Sequence, residues 1–193
     1  LSDIASGVQF EMNGIDIDPD RIELYFGNEV APGGYVWIFP KGEDIANVGI
    51  GVRKPYAKKP AIEYLRGFID KMPGLRKGSI LEVNSGGVPV GGLMKNMVTD
   101  NLIVVGDAAH QVNPIHGGGM TRAIHSSIMA AEVADKALKK GDVSKETLKE
   151  YEKMWEEEYG EKTKKLMKLR AFLEKLGDKD FELLADILKG EDI

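Results

Sequence analysis

The sequence of 193 residues contains no cysteine. That excludes disulfides, iron–sulfur ligation and thiol catalysis within it, and fits a cytoplasmic protein. No apolar run approaches the roughly 18–20 residues of a membrane-spanning helix, so any membrane association is expected to be peripheral. No signal peptide is legible. The basic surplus needed to bind a phosphate backbone is also missing. The net charge is -5, which argues against nucleic acid as a partner. A complete GxGxxG dinucleotide fingerprint is absent as well, since Gly49-Ile50-Gly51 lacks the third glycine and runs into Val52-Arg53-Lys54-Pro55. What remains, 42% apolar and 30% charged residues, reads as globular with a sizeable core. Many Lys and Glu beside the absent Cys lean toward a thermophile.

The stretch around which the chain is organised runs from Leu102 to Ala131. Leu102-Ile103-Val104-Val105, bounded by Asn101 and Gly106, has the pattern of a strand buried on both faces. Asp107 follows, where a strand's carboxyl end meets a ligand crevice in open α/β sheets. Asn113-Pro114 interrupts regular structure. Gly117-Gly118-Gly119 then opens a helix rich in small residues, including Ala123, Ser126, Ser127, Ala130 and Ala131. The free N–H groups and positive dipole end of such a helix favour an anionic or electron-rich partner.

At these residues the sequence resembles a known family. Gly106-Asp107-Ala108-Ala109-His110, a proline seven residues after the Asp, and glycines leading into a helix are similar to the second flavin motif of FAD-dependent reductases and hydroxylases of the p-hydroxybenzoate hydroxylase type. Asn113-Pro114-x-x-Gly117-Gly118-Gly119 is closer to the geranylgeranyl reductase branch. The resemblance implies FAD as cofactor, with Asp107 on a ribityl hydroxyl and the amides around Gly119, Met120 and Thr121 facing flavin N1 and the C2 carbonyl. Gly106, Pro114, Gly117 and Gly118 complete the implied cofactor site. The family holds the ADP half of FAD with an N-terminal GxGxxG unit. The chain, which begins at Leu1, is therefore expected to be the C-terminal part of a longer protein, inactive alone.

The first hundred residues read as mainly β. Strands are expected at 7–12, 21–26, 35–39 and 45–52, with small residues in the last where something packs closely. A charged amphipathic helix is expected at 58–72, with Ile62, Leu65, Phe68 and Ile69 on its apolar stripe. A strand at 79–83 should lead into a glycine-rich loop at 85–92. Past the central helix, Gly141-Asp142 is a stop signal and Ser144 a helix N-cap. Residues 144–176 read as helical, with Met154, Trp155, Tyr159, Leu166, Leu169 and Phe172 on the buried or cavity-facing side. A last short helix is expected at 181–188.

Tyr35, Trp37 and Phe39 alternate with Val36 and Ile38, so a strand points the three aromatics to one face. That face is either packed core or a broad apolar wall suited to a long hydrocarbon. Pro32-x-x-Tyr35-x-Trp37-x-Phe39-Pro40 also resembles the PxxYxWxFP signature of geranylgeranyl reductases, which lines the prenyl cavity.

The expected architecture is α+β: an antiparallel substrate-domain sheet (1–98), the C-terminal strand and helix of a Rossmann-like FAD domain (99–140) and a helical tail (141–193). The resemblance implies an FAD-dependent reductase that saturates geranylgeranyl chains in ether-lipid biosynthesis, as archaeal members do. Flavin N5 would deliver hydride and a nearby acid the proton. His116, beside Gly117, is the candidate acid; a helix dipole there would keep it neutral, which makes Tyr35 its competitor. An aromatic hydroxylase of the same superfamily and a non-catalytic lipid- or partner-binding module are the alternatives. No metal site is expected. The electron donor, NAD(P)H or ferredoxin, leaves no legible docking site.

Overall fold

A computed structural model describes residues 3–187 and 189. They form two compact units: residues 5–87 with 174–187, and residues 3–4 with 88–173. The mixture of helices and antiparallel sheet is the α+β class expected.

The first unit is a five-stranded sheet built from β1 (Ala5–Asn13), β2 (Glu23–Tyr25), β3 (Tyr35–Pro40), β4 (Ile45–Arg53) and β5 (Ser79–Val88), in the order β2-β3-β4-β1-β5. β2–β3, β3–β4 and β4–β1 are antiparallel. Gly78 lies beside the Asn13 carbonyl and Gly7 beside that of Gly86, so β5 runs antiparallel to β1 as well. Helix α1 (Ala61–Lys71) follows Pro60, which needs no amide hydrogen at a helix start. It lays Ala61, Leu65, Phe68 and Ile69 on Phe10, Met12, Val36, Ile38, Ala46, Val48, Ile50 and Val52, all buried. One sheet face is thus core by strict alternation.

Two expectations about these strands are corrected. The strand at 21–26 shrinks to Glu23–Tyr25, an edge strand. Tyr25 turns inward onto Phe68, with ring centroids 4.8 Å apart, while Ile22, Leu24 and Phe26 are exposed. The loop at 85–92 begins later than expected, because Ser85, Gly86 and Gly87 continue β5 to Val88. Pairing with β1 outweighs the turn preference of glycine there.

Residues 174–187 belong to this same unit. Glu174 pairs with Arg53, and the Asp178 carboxylate accepts hydrogen bonds from the Asn28 (2.6 Å) and Glu29 (3.3 Å) amides. Helix α5 (Asp178–Ile187) starts earlier than expected. The expected last residue, Leu188, lies outside the described residues.

The second unit contains β6 (Val98–Thr99), β7 (Leu102–Ile103), α2 (Met120–Lys140), α3 (Lys145–Trp155) and α4 (Glu161–Leu173). Gly141, at φ 72°, ends α2, and the Ser144 hydroxyl caps α3 by accepting from the Thr147 amide. Both follow from the sequence. Val133 and Ala137 of α2 meet Leu148, Tyr151 and Trp155 of α3 in the unit's core, together with Met97 and Val98. The Glu152 carboxylate fastens β6 to α3 by accepting from the Met97 (2.5 Å) and Val98 (3.2 Å) amides.

The expected strand 102–105, buried on both faces, is not what forms. β7 is a two-residue strand paired with β6, turned at Asn101 (φ 62°), and Leu102 is 52% exposed. Ile103, Val104 and Val105 are half-buried and pack against the α2–α3 core. Between α3 and α4 the helix widens into a π-helical turn, Glu156–Gly160. Leu169 and Phe172 of α4, expected on the buried side, are exposed. Only Thr163 of that helix is buried. Among the described residues, no helix is long and apolar enough to cross a membrane.

Candidate functional site

The glycine-rich segment of the second unit is a chain of turns, each held by its own backbone. Gly106–Ala109 forms a 3-10 turn, and His110 leaves it in the left-handed conformation (φ 58°). Asn113 then closes a loop on itself. Its amide donates to the Gly118 carbonyl (2.9 Å), its carbonyl accepts from the Gly117 amide (2.9 Å), and its side-chain oxygen accepts from the Ile115 amide (2.9 Å). Pro114, which lacks an N–H, sits buried inside this loop.

The loop delivers the chain to Gly119, which stands at the N-cap of α2 without a side-chain cap. The first-turn amides of Met120 and Thr121 are thus left for a partner outside the helix. Asp107 is exposed, and its carboxylate lies over Gly119. A Cβ there would sit 2.9 Å from Asp107 Oδ1 and 3.1 Å from Val112. Gly117 adopts φ 73°, which a side chain would strain. A Cβ on Gly118 would come within 2.6 Å of the His116 ring. Gly106, Asp107, Pro114, Gly117, Gly118, Gly119, Met120 and Thr121 therefore come together as one cradle.

His116 Nδ1 accepts a hydrogen bond from the Gly118 amide (3.1 Å), so its proton resides on Nε2. Burial, then the nearby Arg122 guanidinium, lowers its pKa. The direction is the one expected, with burial and Arg122 as its causes.

Three buried or half-buried polar side chains that the sequence reading passed over hold the cradle. Gln111, fully buried, accepts from the Gly106 amide (2.7 Å) and donates to the Tyr151 hydroxyl (2.6 Å). Arg122 donates to the Val112 carbonyl (2.7 Å) and to the Thr163 hydroxyl (3.2 Å). Arg170 donates to the Pro114 carbonyl (3.2 Å) and to that of Val90, and pairs with Asp3. One signal was available for Arg122: a cation in the first turn of a helix opposes the dipole, so something else must favour it.

In the first unit, Tyr35, Trp37 and Phe39 share the sheet face opposite the α1-covered core. Their rings run in file, with centroids 5.7 Å apart for Tyr35–Trp37 and 6.0 Å for Trp37–Phe39, and Phe26 extends the file beyond Tyr35 at 5.8 Å. Leu24 pairs with Trp37 across β2–β3 and joins the same face. The indole lies across Gly49 of β4, its register partner, and donates from Nε1 to Gln9 Oε1 (3.1 Å). Small residues in β4 thus make room for the ring. Burial raises the pKa of Tyr35, which keeps its proton.

An aromatic wall and a glycine-rich cradle at a helix start are the two devices on which comparison with known proteins can turn. A distant solved structure, a flavin-dependent halogenase, has a related fold (TM-score 0.58, 19% identity, 81% of this chain and 30% of that chain). Residues 3–88 match the model of the geranylgeranyl reductase catalytic domain. A digeranylgeranylglycerophospholipid reductase of Methanocaldococcus jannaschii is 48% identical over 192 residues, covering 96% of this chain and 48% of that protein. A geranylgeranyl bacteriochlorophyll reductase-like protein of Thermoplasma acidophilum superposes with a TM-score of 0.94 at 36% identity, covering 100% of this chain and 49% of that one. The chain belongs to the geranylgeranyl reductase family. It spans about half the length of the curated relatives it matches.

The seat of Trp37 can be checked directly. A Cβ on Gly49 would overlap the indole, so Gly49→Ala should drive Trp37 off the sheet at a cost of about 1–3 kcal/mol. Trp155 is the only other tryptophan and is fully buried. Gly49→Ala should therefore shift the tryptophan emission, and that shift should disappear when the substitution is made on a Trp37→Phe background. An unchanged spectrum and unfolding midpoint would mean that the ring does not rest on Gly49.

Proposed function

We propose that the chain is the C-terminal part of an FAD-dependent reductase that saturates double bonds in geranylgeranyl chains of archaeal ether lipids. In that reading residues 1–98 hold the substrate, 99–140 are the C-terminal part of the FAD-binding domain and 141–193 are a C-terminal helical region, of which 174–187 pack with the sheet unit. The observation that carries the reading is the pairing, in one chain, of an uncapped helix start under Asp107 with an aromatic file on a sheet face that the core does not use.

The cradle fits a flavin on its own geometry. Gly119 lets the Asp107 carboxylate approach the start of α2 more closely than a side chain there would allow. Asp107 can accept from a ribityl hydroxyl, while the Met120 and Thr121 amides suit an electron-rich edge. Gly106, Pro114, Gly117 and Gly118 shape the backbone around that position. The cofactor, when bound, supplies the hydride. Tyr35, Trp37 and Phe39 supply contact area for a prenyl chain, and an isolated alkene gives the protein nothing to polarise, so positioning is its main contribution. The proton is best assigned to the Tyr35 hydroxyl, which stands on the prenyl face and stays protonated. His116, neutral and committed through Nδ1 to Gly118, is the weaker donor. The electron donor, NAD(P)H or a ferredoxin, and peripheral contact with a membrane surface complete the proposed partners.

Three measurements in the full-length enzyme test this. Asp107→Ala should weaken FAD binding by about 1.5–3 kcal/mol, the worth of a hydrogen bond to a charged group; unchanged affinity would remove the ribityl assignment. Trp37→Ala should impair long prenyl substrates far more than short ones, whereas equal losses at every chain length would mark Trp37 as a folding residue. Tyr35→Phe should slow prenyl reduction and alter the solvent isotope effect, with His116→Gln keeping the wild-type pH–rate profile. The reverse pattern would move the proton to His116.

A further inference from the structure

We propose that Arg122 is the positioning residue of the cradle: it clamps the carbonyl at the entry of the 112–119 turn and presents a fixed positive charge to the ligand at the α2 N-terminus. The inference deepens the flavin reading and rests on it for the identity of that ligand.

Arg122 is 7% exposed, yet all its partners are neutral: the Val112 carbonyl, the Thr163 hydroxyl and the Tyr159 ring, whose centroid lies 5.2 Å from the guanidinium carbon. Among the described residues no carboxylate pairs with it. A buried cation without an anion is costly, and the first turn of a helix adds the unfavourable end of the dipole. Hydrogen bonds and the aromatic face recover part of that cost. What they leave uncancelled is positive charge, and an anionic or electron-rich ligand at the open N-terminus of α2 would complete it. Arg170, the other guanidinium on this turn, pairs with Asp3 and carries no such surplus.

The site is built from the opposite helix as well. The π-helical turn Glu156–Gly160 widens the helix there, and Tyr159 within it stacks on Trp155 (4.3 Å) while its hydroxyl meets His125. Thr163 follows one turn later. Arg122 thus ties α4 and the π-helical turn to Val112, one residue before the loop that Asn113 closes. Its charge is already felt at the mouth of the cradle, where His116 has a lowered pKa with Arg122 as second cause after burial.

The test separates charge from clamp, and part of it needs no flavin. Arg122→Met removes both, whereas Arg122→Lys keeps the charge but ends one bond short of the single guanidinium nitrogen that reaches both the Val112 carbonyl and the Thr163 hydroxyl. In the flavin-free protein, the Met variant should raise the NMR titration midpoint of His116, resolvable among only three histidines. Amide exchange at Gly117 and Gly118 should quicken roughly tenfold in both variants, the equivalent of one lost hydrogen bond. In the full-length enzyme, the preference for reduced over oxidised flavin should fall about tenfold in the Met variant, which is about one pKa unit's worth of lost charge stabilisation, and recover in the Lys variant. A His116 midpoint unmoved in a folded Met variant overturns the charge, as does a Lys variant that behaves like Met toward flavin. Wild-type exchange rates in the Lys variant overturn the clamp, and that variant decides alone should Met fail to fold. Should wild-type enzyme take up no flavin, the cofactor reading falls, while exchange and titration still judge Arg122.

Discussion

The two-residue period of an extended strand is the constraint on which the sheet unit depends. Once β3 pairs between β2 and β4, Val36 and Ile38 must share one face and Tyr35, Trp37 and Phe39 the other. Helix α1 brings one apolar stripe and covers one face, which fixes the aliphatic side as core. The aromatic side is then left for other use, and the sheet has been shaped to carry it. β4 places Ala46, Val48, Ile50 and Val52 on the core side, while Gly49 and Gly51 lie on the aromatic side. One strand thus packs densely in one direction and recedes in the other, which is why an indole can lie against the backbone.

The second unit answers a different need. A helix start that leaves its amides open to a ligand cannot be steadied by a capping side chain, so the preceding turn must be rigid by other means. Asn113 supplies the local closure through its amide, its carbonyl and its side-chain oxygen. Gln111, Arg122 and Arg170 then fix its entry and middle from three directions, through the Gly106 amide and the Val112 and Pro114 carbonyls. Backbone groups buried in a loop require such partners. Here those partners also set the position of Asp107 over Gly119, so satisfying the backbone and shaping the cradle are one operation.

Much of this was written in local patterns. The α1 stripe, the β3 alternation, the Gly141 stop and the Ser144 cap each depend on residues a few positions apart, and each took the form that its pattern implied. The errors fell where a segment's state depended on distant neighbours. Leu102–Val105 has the composition of a doubly buried strand, but within the described residues it pairs only with β6 and is no more than half-buried. Leu169 and Phe172 keep helical spacing yet are exposed, since periodicity identifies a face without saying what covers it.

By itself the sequence determined which side chains share a face and where the backbone must turn, because pleat, helix pitch and the steric limits of Gly and Pro act over a few residues. It also held the GDAAH and NPxxGGG spacing that marks the cradle. Only the tertiary structure decided which face became core, that Trp37 would rest on Gly49, and that Arg122 would find Thr163 and Tyr159. Those partners lie in other strands and helices, with Arg122 and Thr163 separated by 41 positions. Hydrogen-bond reach is a few ångströms in space, and no local period in a sequence encodes a meeting set by the packing of whole elements.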